Sequence, residues 1–439
     1  MRARLRTLWL DIKGSYWFIP TLLTLFAIAL SIVTISLDRR GAAGWLIGTG
    51  WIETSSADGA RELLTVIASA MIAIASTVFA ITIAAVVYAS GSYGPRLLTN
   101  FLNDRGNQVS LGVFVATFVY ALLVLRVVRS PEEAIADRQG AATGGEAVAF
   151  VPELSLFTAT TALLLAVAVL VFFLHHVPAS IRITSVLARI GRRLLGEVAE
   201  RFPRPANGAA RSDPERGPPV RAQAAGYIQI IDYPTLAEAA EEAGARIELR
   251  VRSGDFVHAG VPLAEVVGEG DLGEAVRDAI TLGSARTGEQ DLFFYMDELV
   301  EIALRALSPG INDPFTAVAA FNWLGAAIGS LAGRELSDDP DECGDGSERP
   351  SVRAVAETFD GFVSRAFGVA RKAAASEPSA ARAFLDALER AGEGGPAPGR
   401  RETLAVEGAR LRDQARALLS GPALEEVERR YDAFRAAMA

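Results

Sequence analysis

The sequence predicts a two-part membrane protein. The expected fold class is an α-helical polytopic membrane domain of four transmembrane helices, followed by an α+β cytoplasmic region with a small β-rich module and a helical C-terminal part. The 439 residues are 50% hydrophobic and yet 22% charged, and the long apolar runs lie before His175 while the charges concentrate after it. This composition is too apolar for an ordinary soluble protein and too charged for a chain that lies in the membrane throughout.

Four apolar segments have the length that a membrane-spanning helix needs. About 20 predominantly apolar residues are required, because hydrocarbon offers no hydrogen-bond partner for exposed backbone groups. The segments run at about 16–37, 63–89, 109–128 and 154–177, and none contains an acidic residue. The first is expected to be a retained helix, since it is too long for a signal peptide and no small-residue cleavage site follows it.

Basic residues at the ends of these segments predict their orientation. Arginine and lysine precede the first segment, arginines follow the fourth, and the loop after the third is mostly acidic. Positively charged flanks remain on the cytoplasmic side. We therefore expect a multi-pass protein of the bacterial inner membrane with both termini in the cytoplasm.

The domain boundaries follow from shifts in composition. We predict a four-helix transmembrane domain at 1–177, a basic juxtamembrane segment with a proline-rich linker at 178–222, a small β-rich module at 223–270 and a helical cytoplasmic domain at 271–439. An acidic loop near 337–350, which holds the single cysteine Cys343, is expected to be disordered.

The second apolar segment carries a narrow face of small and hydroxyl side chains. At 100° per residue, the hydroxyls of Thr65, Ser69, Ser76 and Ser90 fall close together. Tight helix packing is one interpretation, since small residues let helix backbones approach in lipid. The other is the lining of a pore or solute path formed by several copies of the chain.

A polar cluster precedes the third apolar segment, in a stretch predicted to lie as a short amphipathic helix on the inner membrane surface. It is either an interfacial anchor with a helix cap or the inner mouth of an ion path. Its candidate residues are Arg96, Asn100, Asp104, Arg105, Asn107 and Gln108.

A charged stretch in the C-terminal half predicts an ion-pair network that joins two helices. A helix is expected up to Ser308, and Asp313 is expected to cap the next one, with Pro314 at its first position. The candidate network residues are Arg286, Asp291, Arg305, Asn312 and Asp313.

The residues indicate no enzyme. The chain has three histidines, one cysteine in an acidic loop and no G-x-S-x-G motif, so the usual sets for nucleophilic catalysis are missing. We therefore expect no catalytic residues, no cofactor, no metal site and no nucleic-acid partner. The expected partners are the lipid bilayer, further copies of the same chain, and an unknown cytoplasmic ligand or protein.

Two phrases resemble an uncharacterised family of predicted bacterial membrane proteins. They are ASGSYGPRLLTNFLNDRGNQVSLGVFVATFVYALLVLR at 89–126 and ALRALSPGINDPFTAV at 303–318. Both are similar to the domain of unknown function 2254 family, and the resemblance extends over almost the whole chain. It implies the topology and carries over no activity and no site residue.

Two functional hypotheses follow from the sequence. The first is a homo-oligomeric ion channel or transport protein in which the second span lines the path. The alternative is a membrane-anchored sensor or scaffold whose cytoplasmic half binds a ligand or a protein.

Overall fold

The computed structural model describes residues 15–41, 56–94, 104–130, 150–203, 216–268, 270–336, 351–355 and 357–439, without the side chains of Ser92 and Tyr93. The described chain is mostly helical and forms two compact units. One is built from the apolar helices that precede Ile183, and the other is formed mainly by Ile183–Ala439. The predicted acidic loop at 337–350 lies outside the described residues.

The first unit consists of four long apolar helices. They are α1 (Phe18–Arg39), α2 (Ala57–Tyr93), α3 (Arg105–Leu125) and α4 (Glu153–Ser180). Five helices in the described residues are long and apolar enough to cross a membrane, because Pro314–Ala332 in the second unit also meets this test. The predicted count of four spans is therefore not confirmed, whereas a multi-pass membrane location agrees with all five helices.

Close packing of α1 on α3 forms the centre of the first unit. A Cβ atom at Gly112 would lie 3.1 Å from the Cα of Pro20, so glycine permits the two backbones to approach. The Tyr120 hydroxyl on α3 is 2.9 Å from Thr34 Oγ1 on α1 and donates to the carbonyl of Ser155 on α4. These bonds satisfy polar groups that lipid could not satisfy.

The second unit combines a helical part with two small sheets. Its helices are α5 (Ile183–Arg201), α6 (Tyr233–Glu242), α7 (Gly273–Ala279), α8 (Leu292–Ala306), α9 (Pro314–Ala332), α10 (Phe359–Val363), α11 (Arg371–Ala375), α12 (Pro378–Glu393), α13 (Arg400–Leu418) and α14 (Pro422–Met438). Its strands are β1 (Pro219–Arg221), β2 (Gly226–Ile231), β3 (Arg246–Leu249), β4 (Phe256–Val257), β5 (Pro262–Val267), β6 (Ile280–Gly283) and β7 (Val352–Arg353).

The strands form two sheets that extend beyond the predicted 223–270 module. One sheet has the order β1-β5-β3-β7 and the other β4-β2-β6. All pairs are antiparallel except β3 with β7, which runs parallel and brings in a segment far along the chain. A shared core that includes Ile228, Ile247 and Val276 packs between these strands and α6 and α7.

Helix α9 lies at the centre of the helical part. Asp313 caps its N-terminus by accepting from the Thr316 N–H, and Pro314 occupies its first position, as the sequence predicted. At its C-terminal end the Arg400 guanidinium donates to the carbonyls of Leu331 and Ala332. Both ends of this apolar helix are therefore closed by polar groups of the same unit.

Candidate functional site

Most of the hydroxyl face of α2 is left uncovered by the part of the chain that the structure describes. Thr65, Ser69 and Ser76 are exposed and Ser90 is half-buried, whereas another side of the helix buries Leu64, Met71 and similar residues. The Ser69 hydroxyl donates to the Thr65 carbonyl at 2.7 Å, and that of Ser76 donates to the Ile72 carbonyl at 2.9 Å. The hydroxyl hydrogens of Ser69 and Ser76 are thus engaged within the helix, and both side chains remain exposed.

The polar cluster at the start of α3 is partly buried. Asp104 caps the helix by accepting from the Asn107 N–H, and Asn107 and Gln108 are both buried. Arg105 is exposed, and the prediction for Arg96 and Asn100 lies outside the described residues. The predicted amphipathic helix before α3 also falls there.

His176 on α4 completes this cluster. Its Nε2 is 2.8 Å from Asp104 Oδ1, and its ring stacks on Phe172. A Cβ at Gly106 would lie 2.6 Å from the same Nε2, so glycine makes room for the imidazole. This pair could not be predicted from the sequence, because 72 residues separate its members.

Asp38, at the other end of the first unit, caps α4. Its carboxylate accepts from the backbone N–H groups of Leu154 and Ser155 and from the Ser155 hydroxyl, at 2.9, 3.0 and 2.7 Å. A carboxylate at a helix N-terminus satisfies unpaired N–H groups and complements the helix dipole. Asp38 was missed as a cap because it lies at the far end of another helix in the sequence.

A charged cluster forms at the N-terminal end of α8. Arg286 donates to Asp291 Oδ2 from Nε at 2.9 Å and to Asp297 Oδ2 from Nη1 at 2.6 Å. Arg365, which follows α10, also donates to Asp297, from Nη2 at 2.5 Å. Asp291 caps α8, and burial raises the pKa of its carboxyl above the ordinary value while Arg286 opposes the rise.

The structure brings together only Arg286 and Asp291 from the predicted network. Arg305 pairs with Glu301 one turn away on α8, at 3.6 Å. Asp313 caps α9, and Asn312 adopts a left-handed φ of 49° in the turn before it. Instead of joining α8 to α9, the network joins α8 to Arg365, a partner whose distance along the chain hid it from sequence reasoning.

An open cleft of about 630 Å³ borders this charged cluster. The turn after β3 forms one wall, and Gly254 (φ +91°) is required there because a Cβ would lie 2.1 Å from Asp291 Oδ2. The Arg252 guanidinium lies over the Phe293 ring, 4.7 Å from its centre. The remaining wall comes from the chain around α10, including Thr358, Ser364 and Arg365. The cleft thus presents both signs of charge beside aromatic surface.

Comparison with known proteins supports the membrane location and the family. The family described as "Predicted membrane protein (DUF2254)" matches residues 13–390. The uncharacterized protein Rv1290c of Mycobacterium tuberculosis is 30% identical over 341 residues, which cover 75% of this chain and 62% of that protein. The same figures hold for the uncharacterized protein Mb1321c of Mycobacterium bovis. The chain thus matches less than two thirds of the length of these relatives.

No solved structure matches the chain. The family match extends over both units and includes the two phrases at 89–126 and 303–318. The chain belongs to the DUF2254 family of predicted membrane proteins.

Proposed function

We propose that the chain is a homo-oligomeric channel or transport protein of the bacterial inner membrane, in which the second span of each copy lines a cation path. The observation that supports this proposal most is the exposed hydroxyl face of α2. Since each hydroxyl of Ser69 and Ser76 donates its hydrogen to the preceding turn, its oxygen is left to coordinate a cation.

In this proposal four helices, α1 to α4, span the membrane and α9 does not. Asn322 lies in the middle of α9 and accepts from the Arg390 guanidinium at 3.2 Å, in an exposed position. The charge of Arg390 beside the middle of α9 would be costly in hydrocarbon, which favours an aqueous setting for α9. Both termini are then cytoplasmic, in agreement with the arginines after the fourth span.

Cysteine accessibility tests the path. In a Cys343→Ser background, we expect Ser76→Cys to react with a membrane-impermeant thiosulfonate reagent and the modification to reduce K⁺ flux in proteoliposomes. Leu165→Cys is the matched control, because Leu165 is an apolar residue near the middle of α4 and is 58% exposed. An unreactive Ser76→Cys, together with no K⁺ or Cl⁻ flux at any potential, would contradict the proposal.

The cleft beside α8 favours a second function, that of a membrane-anchored sensor. Its arginines, carboxylates and Phe293 suit a small ligand that carries charge. We expect inorganic phosphate, adenosine triphosphate or aspartate to raise the thermal unfolding temperature of the purified chain, and Arg252→Gln to reduce the shift. No shift with any of the three, together with no partner recovered after cross-linking in membranes, would count against this function.

A further inference from the structure

The most exposed large apolar side chain among the described residues is Phe315, at 81%. It lies on the first turn of α9, and Ile311 in the preceding turn is 43% exposed. The other side chains of α9 that face its neighbours are fully buried, among them Phe321 and Leu324. An aromatic and an aliphatic side chain are therefore presented together at one end of a helix that buries most of its other large apolar side chains.

The turn that carries them is held rigidly. The Asp313 N–H donates to the Ala306 carbonyl at 2.8 Å, and the Asn312 N–H donates to the Ser308 carbonyl at 2.9 Å. Asn312 takes up the left-handed conformation that asparagine tolerates better than most residues. Asp313 Oδ2 also accepts from the Thr316 hydroxyl at 2.6 Å. The exposure of Ile311 and Phe315 is thus fixed by the backbone of the turn.

Helix α5 shows which end of the second unit this is. A Cβ at Gly191 of α5 would lie 2.2 Å from the Trp323 ring of α9, and Arg334 Nη1 donates to the Phe202 carbonyl at 2.6 Å. Eleven residues separate the two contact points on both helices, so α5 and α9 run parallel and in register. Phe315 is therefore level with Ile183, the first residue of α5.

The packing of α8 gives the same result independently. Arg193 lies over the Tyr295 ring, 5.0 Å from its centre, and Arg201 Nη1 donates to the Gln290 carbonyl at 3.0 Å. Helix α8 is thus antiparallel to α5, and its C-terminal end lies at the beginning of α5. The turn that follows α8, at 307–313, therefore also lies beside the beginning of α5.

The beginning of α5 is tied to an apolar helix by two residues. Only Ile181 and Arg182 separate α5 from the end of α4, which is long and apolar enough to cross a membrane. Exposed Arg182 and the half-buried Arg189 add positive charge near this point. Apolar side chains beside arginines are the pattern of protein surfaces that enter the headgroup region of an anionic bilayer.

We propose that the turn at 307–315 inserts Ile311 and Phe315 into the headgroup region of the bilayer that holds the apolar helices. The turn thereby docks the second unit on the membrane surface. This inference rests on the membrane location and on the proposed placement of α9 outside the hydrocarbon, and it is independent of conduction and of ligand binding in the cleft.

Quenching by brominated lipid tests the insertion in the full chain. In the Cys343→Ser background, Phe315→Cys and Ile311→Cys are each labelled with an environment-sensitive nitrobenzoxadiazole dye. The labelled chains are reconstituted in phosphatidylglycerol–phosphatidylethanolamine vesicles. We expect about twofold lower fluorescence when the acyl chains are brominated near their carbonyl ends, because inserted side chains reach the headgroup and acyl boundary.

Phe256→Cys is the matched control. Phe256 is also an exposed phenylalanine, at 58%, but it lies beside the opposite, N-terminal end of α8. Its label should not be quenched by the brominated lipid. Emission typical of water at both 311 and 315 would overturn the proposal. Apolar emission there without quenching would also overturn it, since a second copy or another segment of the chain would then cover the turn.

Discussion

Replacing Asp297 by asparagine is expected to lower the free energy of unfolding of the second unit by about 3 kcal/mol, near the low end of the cost of breaking a buried ion pair. Asp297 is 7% exposed and accepts from both Arg286 and Arg365. The amide leaves the Arg286 guanidinium, whose side chain is 17% exposed, with Asp291 as its remaining carboxylate partner. The loss stays near 3 kcal/mol because that partner remains and because Arg365 is partly open to water.

Pulse proteolysis across a urea gradient measures this loss of stability on the purified 439-residue chain. The matched control is Asp413→Asn, since Asp413 pairs with the adjacent Arg412 and its side chain is 62% exposed. Exposed pairs of this kind contribute roughly 0–1 kcal/mol. Equal urea midpoints for the two variants would show that the cluster at the end of α8 does not stabilise the second unit.

The charged cluster at the N-terminal end of α8 could be predicted from the sequence only in part. Arg286 and Asp291 lie five residues apart, so their charges were visible as a local pattern. Arg365 is 68 residues from Asp297, and no periodicity relates the two. Ion pairs between distant segments depend on tertiary packing, which a pattern of charges along one helix does not encode.

The apolar helices also could be predicted from the sequence only in part. Runs of about 20 apolar residues predicted α1 to α4 because the length requirement of a bilayer is a local property. The start of α3 was predicted late, at 109, because Asn107 and Gln108 are polar and yet buried. Asp104 caps the helix at Asn107 and contacts His176 of α4, a contact that is supplied by the fold. Helix α9 was missed as an apolar helix because alanine, glycine and one asparagine dilute its hydropathy.

Gly325→Ala and Gly196→Ala are expected to change stability in opposite directions, although the substitution is the same. A Cβ at Gly325 would lie 2.8 Å from the Ala387 Cβ and 3.0 Å from the Ala387 carbonyl oxygen, where α9 crosses α12. One turn later a Cβ at Gly329 would lie 3.2 Å from the Ala391 Cα. The two helices therefore meet through a pair of glycines and a pair of alanines, and backbone atoms cannot move aside as a flexible side chain would.

Overpacking of this kind costs about 1–3 kcal/mol, which exceeds the gain of about 1 kcal/mol from replacing glycine by alanine in a helix. Gly325→Ala should therefore lower the urea midpoint in pulse proteolysis. Gly196 lies on the exposed side of α5 with no atom within 4 Å of a Cβ, so only the gain of about 0.5–1 kcal/mol applies there. A higher midpoint for both variants would mean that α9 and α12 are not in close contact. Opposite signs would establish that the fifth apolar helix is held inside the second unit by its glycines.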